Sequence, residues 1–201
     1  NFSPSLTNSL AQQLFDGATT NGGLITYIRT DSITLSNESI HQCRKYIQEK
    51  LEESYLPVSP NVFKTKSKIA QEAHEPIRPI KIETTPSDVK SFLNDNQYKL
   101  YKLIWERTIA SQMNPQLVEE TVINVKSENS KLRVSGTAEI FDGFRKIYES
   151  SGNKNDSEKH LPIFTDKENL NFLEFKCDQH FTKPPNRFSE AGLIKRLEEL
   201  G

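Results

Sequence analysis

The sequence predicts an α+β protein, with a mostly helical first half followed by a mostly stranded second half. Three observations carry this. Apolar residues recur at steps of three and four as far as about Met113; from Glu120 the period changes to two; and polar runs punctuate the periodic segments. The chain has 201 residues, enough to bury at least one sizeable core. A hydrophobic share of only 34% and a mean hydropathy of -0.65 predict a polar surface or long solvated loops around it.

Ser36 stands where it would cap a helix, because Ile40, Cys43, Ile47 and Leu51 follow at helical spacing. Pro57 and Pro60 come after its end. Lys64 to Lys81 holds Lys64, Lys66, Lys68, His74, Arg78 and Lys81 among few large apolar residues, a loop pattern. Thr85-Pro86-Ser87-Asp88 reads as a helix start with proline in the first turn, and Tyr101, Ile104, Trp105 and Ile109 mark its apolar face as far as Met113. Strand patterning then appears in Thr121, Ile123 and Val125, in Leu132 and Val134, and in Ala138 and Ile140, with Ser127 to Ser130 as a turn. Ser150 to Lys159 has the composition of a solvated loop, and Leu170, Phe172 and Glu174 alternate again beyond it. Ser189 can cap a last helix bearing Leu193, Ile194, Leu197 and Leu200. No internal repeat is present.

The composition excludes several function classes. The formal net charge is -1, so any affinity for nucleic acid must come from a local cluster of cations. Cys43 and Cys177 match no C-x-x-C spacing, which argues against a structural zinc or a redox motif and for reduced thiols. No run of eighteen apolar residues predicts a membrane span. Neither a G-x-x-x-x-G-K-[ST] phosphate loop, nor a G-x-S-x-G elbow, nor aspartates spaced for a metal occur.

Three stretches can carry chemistry. In Gly22 to Ser32 an apolar run gives way abruptly to Arg29, Thr30, Asp31 and Ser32 beside Tyr27. A phenol is a weak nucleophile at neutral pH, so attack on a phosphodiester needs a positive charge or a base nearby. In extended backbone Arg29 shares a face with Tyr27 and can take a phosphate bidentately. The residues alone leave open a plain buried strand, with Tyr27 filling space and Arg29 paired to Asp31 or Glu38. The second stretch, Gln71 to Pro79, places His74 and Arg78 on a proline-stiffened loop. It lacks the second histidine of H-E-x-x-H, so a zinc hydrolase is excluded; a phosphate site and a solvated basic loop both remain open. The third, His180 to Ser189, interleaves Lys183 and Arg187 with Phe181 and Phe188, suited to gripping a single strand or to a hinge between domains.

Together these stretches resemble the type IA DNA topoisomerases. Gly23-Leu24-Ile25-Thr26-Tyr27-Ile28-Arg29-Thr30-Asp31-Ser32 is similar to the family signature G-[LY]-I-T-Y-M-R-T-D-S, and Ala73-His74-Glu75-Pro76-Ile77-Arg78-Pro79 to its A-H-E-A-I-R-P element. Leu100 to Trp105 with Ala110 to Met113 resembles the helix that follows. His180 to Pro185 with Arg187 to Ala191 resembles the family's return into the base of its gate. The T-D-S ending and the T-K-P-P run favour the bacterial topoisomerase I branch over topoisomerase III.

The resemblance implies a fragment of a bacterial-type enzyme: a winged-helix-like tyrosine domain over residues 10–114, a β-rich arch over 1–9 and 115–185, and the start of a gate base over 186–201. It implies that Tyr27 forms a 5′-phosphotyrosine, with Arg29 and His74 supporting the phosphate and Thr30, Asp31, Ser32, Arg78, Lys183 and Arg187 contacting DNA. The expected partner is single-stranded DNA, and the intact enzyme is expected to relax negative supercoils without ATP as a cytoplasmic, nucleoid-associated monomer with no membrane contact, with a hinge near Pro184-Pro185. The Mg²⁺ of such enzymes is expected on a TOPRIM domain outside this chain, so no metal is expected on these residues. The contrasting expectation is a DNA-gripping module inactive without that domain. A tyrosine recombinase fits less well, since its tyrosine lies near the C-terminus. One departure stands out: Ser5 to Leu10 resembles the family's P-[FS]-[IL]-T-S-[ST]-L entry, yet Ala11 to Phe15 follows at once where helices would be inserted.

Overall fold

The computed structural model describes residues 2–17, 22–30, 32–63, 74–149, 161–162, 164, 167–174 and 176–200. The loop expected over Ser150 to Lys159 falls outside them, as do Asp31 and most of the basic stretch from Lys64. The fold is α+β: among the described residues, helices pack around a core and one antiparallel hairpin projects from it.

Helix α1 (Pro4–Asp16) begins where Ser3 Oγ accepts from the Leu6 amide at 3.2 Å, with proline in the first turn where its missing N–H costs nothing. Leu10, Ala11 and Leu14 form its buried stripe. The helix runs unbroken through Leu10–Ala11, so Ser5 to Leu10 is simply its first half and the boundary expected between residues 9 and 10 lies inside one element. It stops at Gly17, whose φ of 101° suits glycine and whose N–H returns to the Gln13 carbonyl.

Helix α2 (Asn37–Lys50) is capped by Ser36 as the sequence predicts, and it buries Ser39, Cys43 and Ile47. The expected single helix from Thr85 is instead two. A short α3 (Pro86–Val89) is followed by α4 (Asp95–Ser111), because Asn94 starts a fresh helix: its side chain accepts from the Asn96 and Gln97 amides, and the Gln97 side chain accepts from the Asn94 amide. Helix α4 is the centre of the core. Tyr101 and Ile109 have no exposed surface; Tyr101 donates to the Thr84 carbonyl at 2.7 Å and Trp105 Nε1 to the Ile82 carbonyl at 2.9 Å, which satisfies two polar groups carried in by large apolar side chains.

Strands β1 (Leu117–Lys126) and β2 (Lys131–Phe141) pair antiparallel from Leu117↔Phe141 to Lys126↔Lys131, so the two expected strand pieces around Val134 and Ile140 are one strand. Both faces of the hairpin are largely exposed. Two strands alone are marginal in water, and the root explains why these persist. Tyr55, in a short 3₁₀ turn (Glu53–Tyr55), donates to Asp142 Oδ1 at 2.8 Å and lies 5.0 Å from the Phe141 ring; the Asn114 amide donates to the Tyr55 carbonyl and the Phe144 amide to the Asn114 carbonyl, both at 2.9 Å. A short α5 (Arg145–Glu149) follows.

The alternation of Leu170, Phe172 and Glu174 does not become a strand: residues 167–174 are irregular, and Phe172 and Leu173 are exposed. Among the described residues the sheet consists of β1 and β2, and alternation makes a strand only where a neighbouring edge accepts its hydrogen bonds. Helix α6 (Glu190–Leu200) starts at Ser189, whose Oγ accepts from the Gly192 amide at 3.1 Å, and it buries none of its residues.

Candidate active site

Two segments distant in sequence are laced into a short antiparallel ladder beside the core. The Leu24 amide donates to the Leu14 carbonyl at 2.8 Å, fastening the first segment to the end of α1. The Ile80 amide donates to the Leu24 carbonyl at 3.0 Å and the Thr26 amide to the Arg78 carbonyl at 2.9 Å, on either side of an Ile25↔Pro79 bridge. Ile25 is fully buried and anchors the ladder in the core. Gly23 permits the close approach at its start, because a Cβ there would collide with the Phe15 carbonyl oxygen.

Thr26 ties the ladder together through its side chain. Its hydroxyl donates to the Pro76 carbonyl at 2.8 Å and accepts from the Arg78 amide at 3.0 Å. The next residue, Tyr27, stands between two rings: Phe15 meets it edge-on at 5.5 Å, and His74 lies tilted at 5.3 Å. Tyr27 nevertheless keeps 39% of its surface exposed, so a ligand can reach it. His74 is exposed as well, and so is Arg29. Glu38, the partner that the residues alone left open for Arg29, instead accepts from Gln42 Nε2 at 3.4 Å.

Arg78 is placed differently from a solvent-facing phosphate ligand. Its Nε and Nη2 hold the two Glu75 carboxylate oxygens at 2.8 and 3.1 Å, and its Nη1 donates to the Pro79 and Ile80 carbonyls at 2.8 and 3.4 Å. Its side chain is 13% exposed. Hydrogen bonding from Arg78 holds the Glu75 carboxyl below the usual carboxylate range, against the opposing effect of partial burial. The Ser39 hydroxyl adds a longer contact to Glu75 at 3.4 Å from the first turn of α2.

Thr30 and Ser32 serve local turns: the Ser32 amide donates to Thr30 Oγ1 at 3.1 Å, the Thr34 amide to Ser32 Oγ at 3.3 Å, and Thr30 Oγ1 reaches the His74 carbonyl at 3.5 Å. Lys183 and Arg187 lie on the exposed, irregular segment before α6. A groove of about 1070 Å³ near the start of α6 is lined by Phe2, Tyr98, Lys99 and Tyr148 among others, and by none of the candidate site residues. The structure thus brings Tyr27 and His74 together and leaves Lys183 and Arg187 on a separate segment. Two residues that sequence reasoning passed over, Thr26 and Glu75, hold the site together. Both lie inside the quoted motifs, but their partners are visible only in three dimensions.

A family model described as DNA topoisomerase matches residues 1–201, the whole chain. The chain belongs to that family. DNA topoisomerase 1 of Rickettsia conorii is 45% identical over 207 residues, covering 100% of this chain and 27% of that protein, and DNA topoisomerase 1 of Campylobacter jejuni is 42% identical over 203 residues, covering 100% and 28%. Among solved structures, full-length topoisomerase I from Thermotoga maritima superposes with a TM-score of 0.75 at 30% identity, covering 100% of this chain and 32% of that one. The chain therefore spans between a quarter and a third of the length of these relatives. Their alignments, 207 and 203 positions against 201 residues, leave no room for helices inserted between Leu10 and Ala11, so that apparent departure is corrected.

No three His, Cys, Asp or Glu side chains come together among the described residues. No helix among them is long and apolar enough to cross a membrane.

Proposed function

We propose that this chain carries the DNA-cleaving tyrosine of a topoisomerase I, and that the protein containing it breaks and rejoins single-stranded DNA through a 5′-phosphotyrosine. The observation that carries this reading is the exposed Tyr27 ring set 5.3 Å from the His74 imidazole on a laced, core-anchored ladder. Space-filling tyrosines are buried; this one is braced on two sides and open on a third.

In the proposed step the Tyr27 oxygen bonds to phosphorus as the P–O3′ bond breaks. The phenol proton is released and the 3′ oxygen takes one up, so the strand is left with a 3′ hydroxyl and a 5′ phosphate ester on Tyr27. Charge developing on the non-bridging oxygens is stabilised by Arg29 and His74, both exposed on the segments that flank the ladder. The ester conserves the energy of the broken bond, so rejoining is the reverse reaction and needs no nucleotide. In this reading Thr30 and Ser32 shape the turn beside Tyr27, Asp31 contacts DNA, Lys183 and Arg187 lie on a separate strand-gripping segment, and Mg²⁺ is bound by a TOPRIM domain of the longer protein. The protein acts as a monomer on chromosomal DNA in the cytoplasm, relaxing negative supercoils.

The test is a denaturant-trapped cleavage assay on full-length protein with a labelled single strand and Mg²⁺. We expect an adduct that maps to Tyr27 and disappears in Tyr27→Phe. Strand binding without an adduct in the unmutated protein would leave a DNA-gripping module instead.

A further inference from the structure

We propose that Glu75 and Arg78 are a positioning pair that sets the His74 imidazole against Tyr27, and that Arg78 does not itself contact the phosphate; this rests on the catalytic reading above. The first ground is the use of the guanidinium. Three of its nitrogens already donate to Glu75, Pro79 and Ile80, and its side chain is 13% exposed while its neighbour His74 is open. A largely covered fork with four of its five N–H donors engaged can take a phosphate bidentately only by giving up the carboxylate.

The second ground is connectivity. The main chain of Arg78 is locked to Thr26 in both directions: its carbonyl accepts from the Thr26 amide and its amide donates to the Thr26 hydroxyl. The carboxylate of Glu75 reaches the buried Ser39 in α2. The pair therefore joins three places, namely the residue before Tyr27, the residue after His74, and the first turn of a core helix. Among the described residues, His74 is otherwise held by its ring contact with Tyr27 and by the Thr30 hydroxyl, which meets its carbonyl only at the 3.5 Å limit. Glu75 is anionic at neutral pH as any ordinary carboxylate is, and Arg78 holds its carboxyl further below the usual range. Lysine cannot replace the fork, because an ammonium cannot span both carboxylate oxygens and also reach two carbonyls.

The experiment measures single-turnover cleavage and strand affinity in full-length enzyme for Arg78→Lys, Glu75→Gln, His74→Ala and the His74→Ala/Arg78→Lys double variant. Arg78→Lys is expected to slow cleavage by about ten- to a hundredfold, the scale of a misplaced catalytic group, with strand affinity unchanged within about twofold. The double variant should be no slower than His74→Ala alone, because Arg78 acts through His74. Multiplying losses would overturn the proposal. So would weaker strand binding with a shallower salt dependence, the signature of a lost phosphate contact. If Arg78→Lys fails to fold by circular dichroism, Glu75→Gln in the same two backgrounds carries the same test. Absence of an adduct from the unmutated enzyme is scored separately and overturns the catalytic reading, and the positioning role with it.

Discussion

Replacing Thr26 by valine isolates the lacing of the active-site ladder, because valine keeps the β-branched shape and removes only the hydroxyl. That oxygen donates to the Pro76 carbonyl at 2.8 Å and accepts from the Arg78 amide at 3.0 Å. Each bond contributes about 1 kcal/mol net, and the Arg78 N–H left without its partner in a partly buried site adds part of an unsatisfied-group penalty of about 1–3 kcal/mol. The expected loss is about 2–3 kcal/mol. For a chain of this length 1 kcal/mol moves the melting temperature by about 2–4 °C, so a drop of roughly 5–10 °C is expected. Thr26→Ser is the control: it retains the hydroxyl and loses one methyl, worth about 0.8 kcal/mol. Urea unfolding followed by circular dichroism gives both values. A Thr26→Val protein within about 0.5 kcal/mol of wild type, or a serine variant as damaged as the valine one, would refute the assignment of this stabilisation to the hydroxyl.

Gly23→Ala should destabilise by about 1–3 kcal/mol, since the new methyl meets the Phe15 carbonyl, a backbone atom that cannot swing aside; thermal melting checks it. Glu75 supplies a pH dependence whose sign follows from its lowered pKa: its pairing stabilises the fold in full above the ordinary carboxylate range, and that contribution fades as pH falls through the lowered value. Unfolding measured from neutral pH down to about pH 2 should show wild type and Glu75→Gln converging at the acid end; parallel curves throughout would contradict the ion pair's role.

Much of the fold was legible because its signals are local. A serine or asparagine whose side chain caps the following amides acts within four residues, so Ser36 and Ser189 announced their helices. The same locality explains one miss: Asn94 with Gln97 is as clear a capping box as any in the chain, and the apolar face running on to Ile109 masked the break it makes. Alternation marked β1 and β2 correctly, since a hairpin supplies each strand with its own partner, and misled at Leu170 to Glu174, where no edge pairs with the alternating residues. The motif around Tyr27 and the resemblance it carries were likewise readable in one dimension.

What the sequence by itself determined is therefore the helix starts, the hairpin, the α+β class and the family, all properties of residue order over short spans. Only the tertiary structure decided that Tyr27 lies against His74, that Thr26 laces the two segments, and that Arg78 is spent on Glu75 and two carbonyls rather than offered to solvent. The physical reason is that a guanidinium, a hydroxyl or a phenol has the same donors wherever it stands. Which partner it meets is set by how the core brings distant backbone segments together, here through buried Ile25 between α1 and the Arg78 segment.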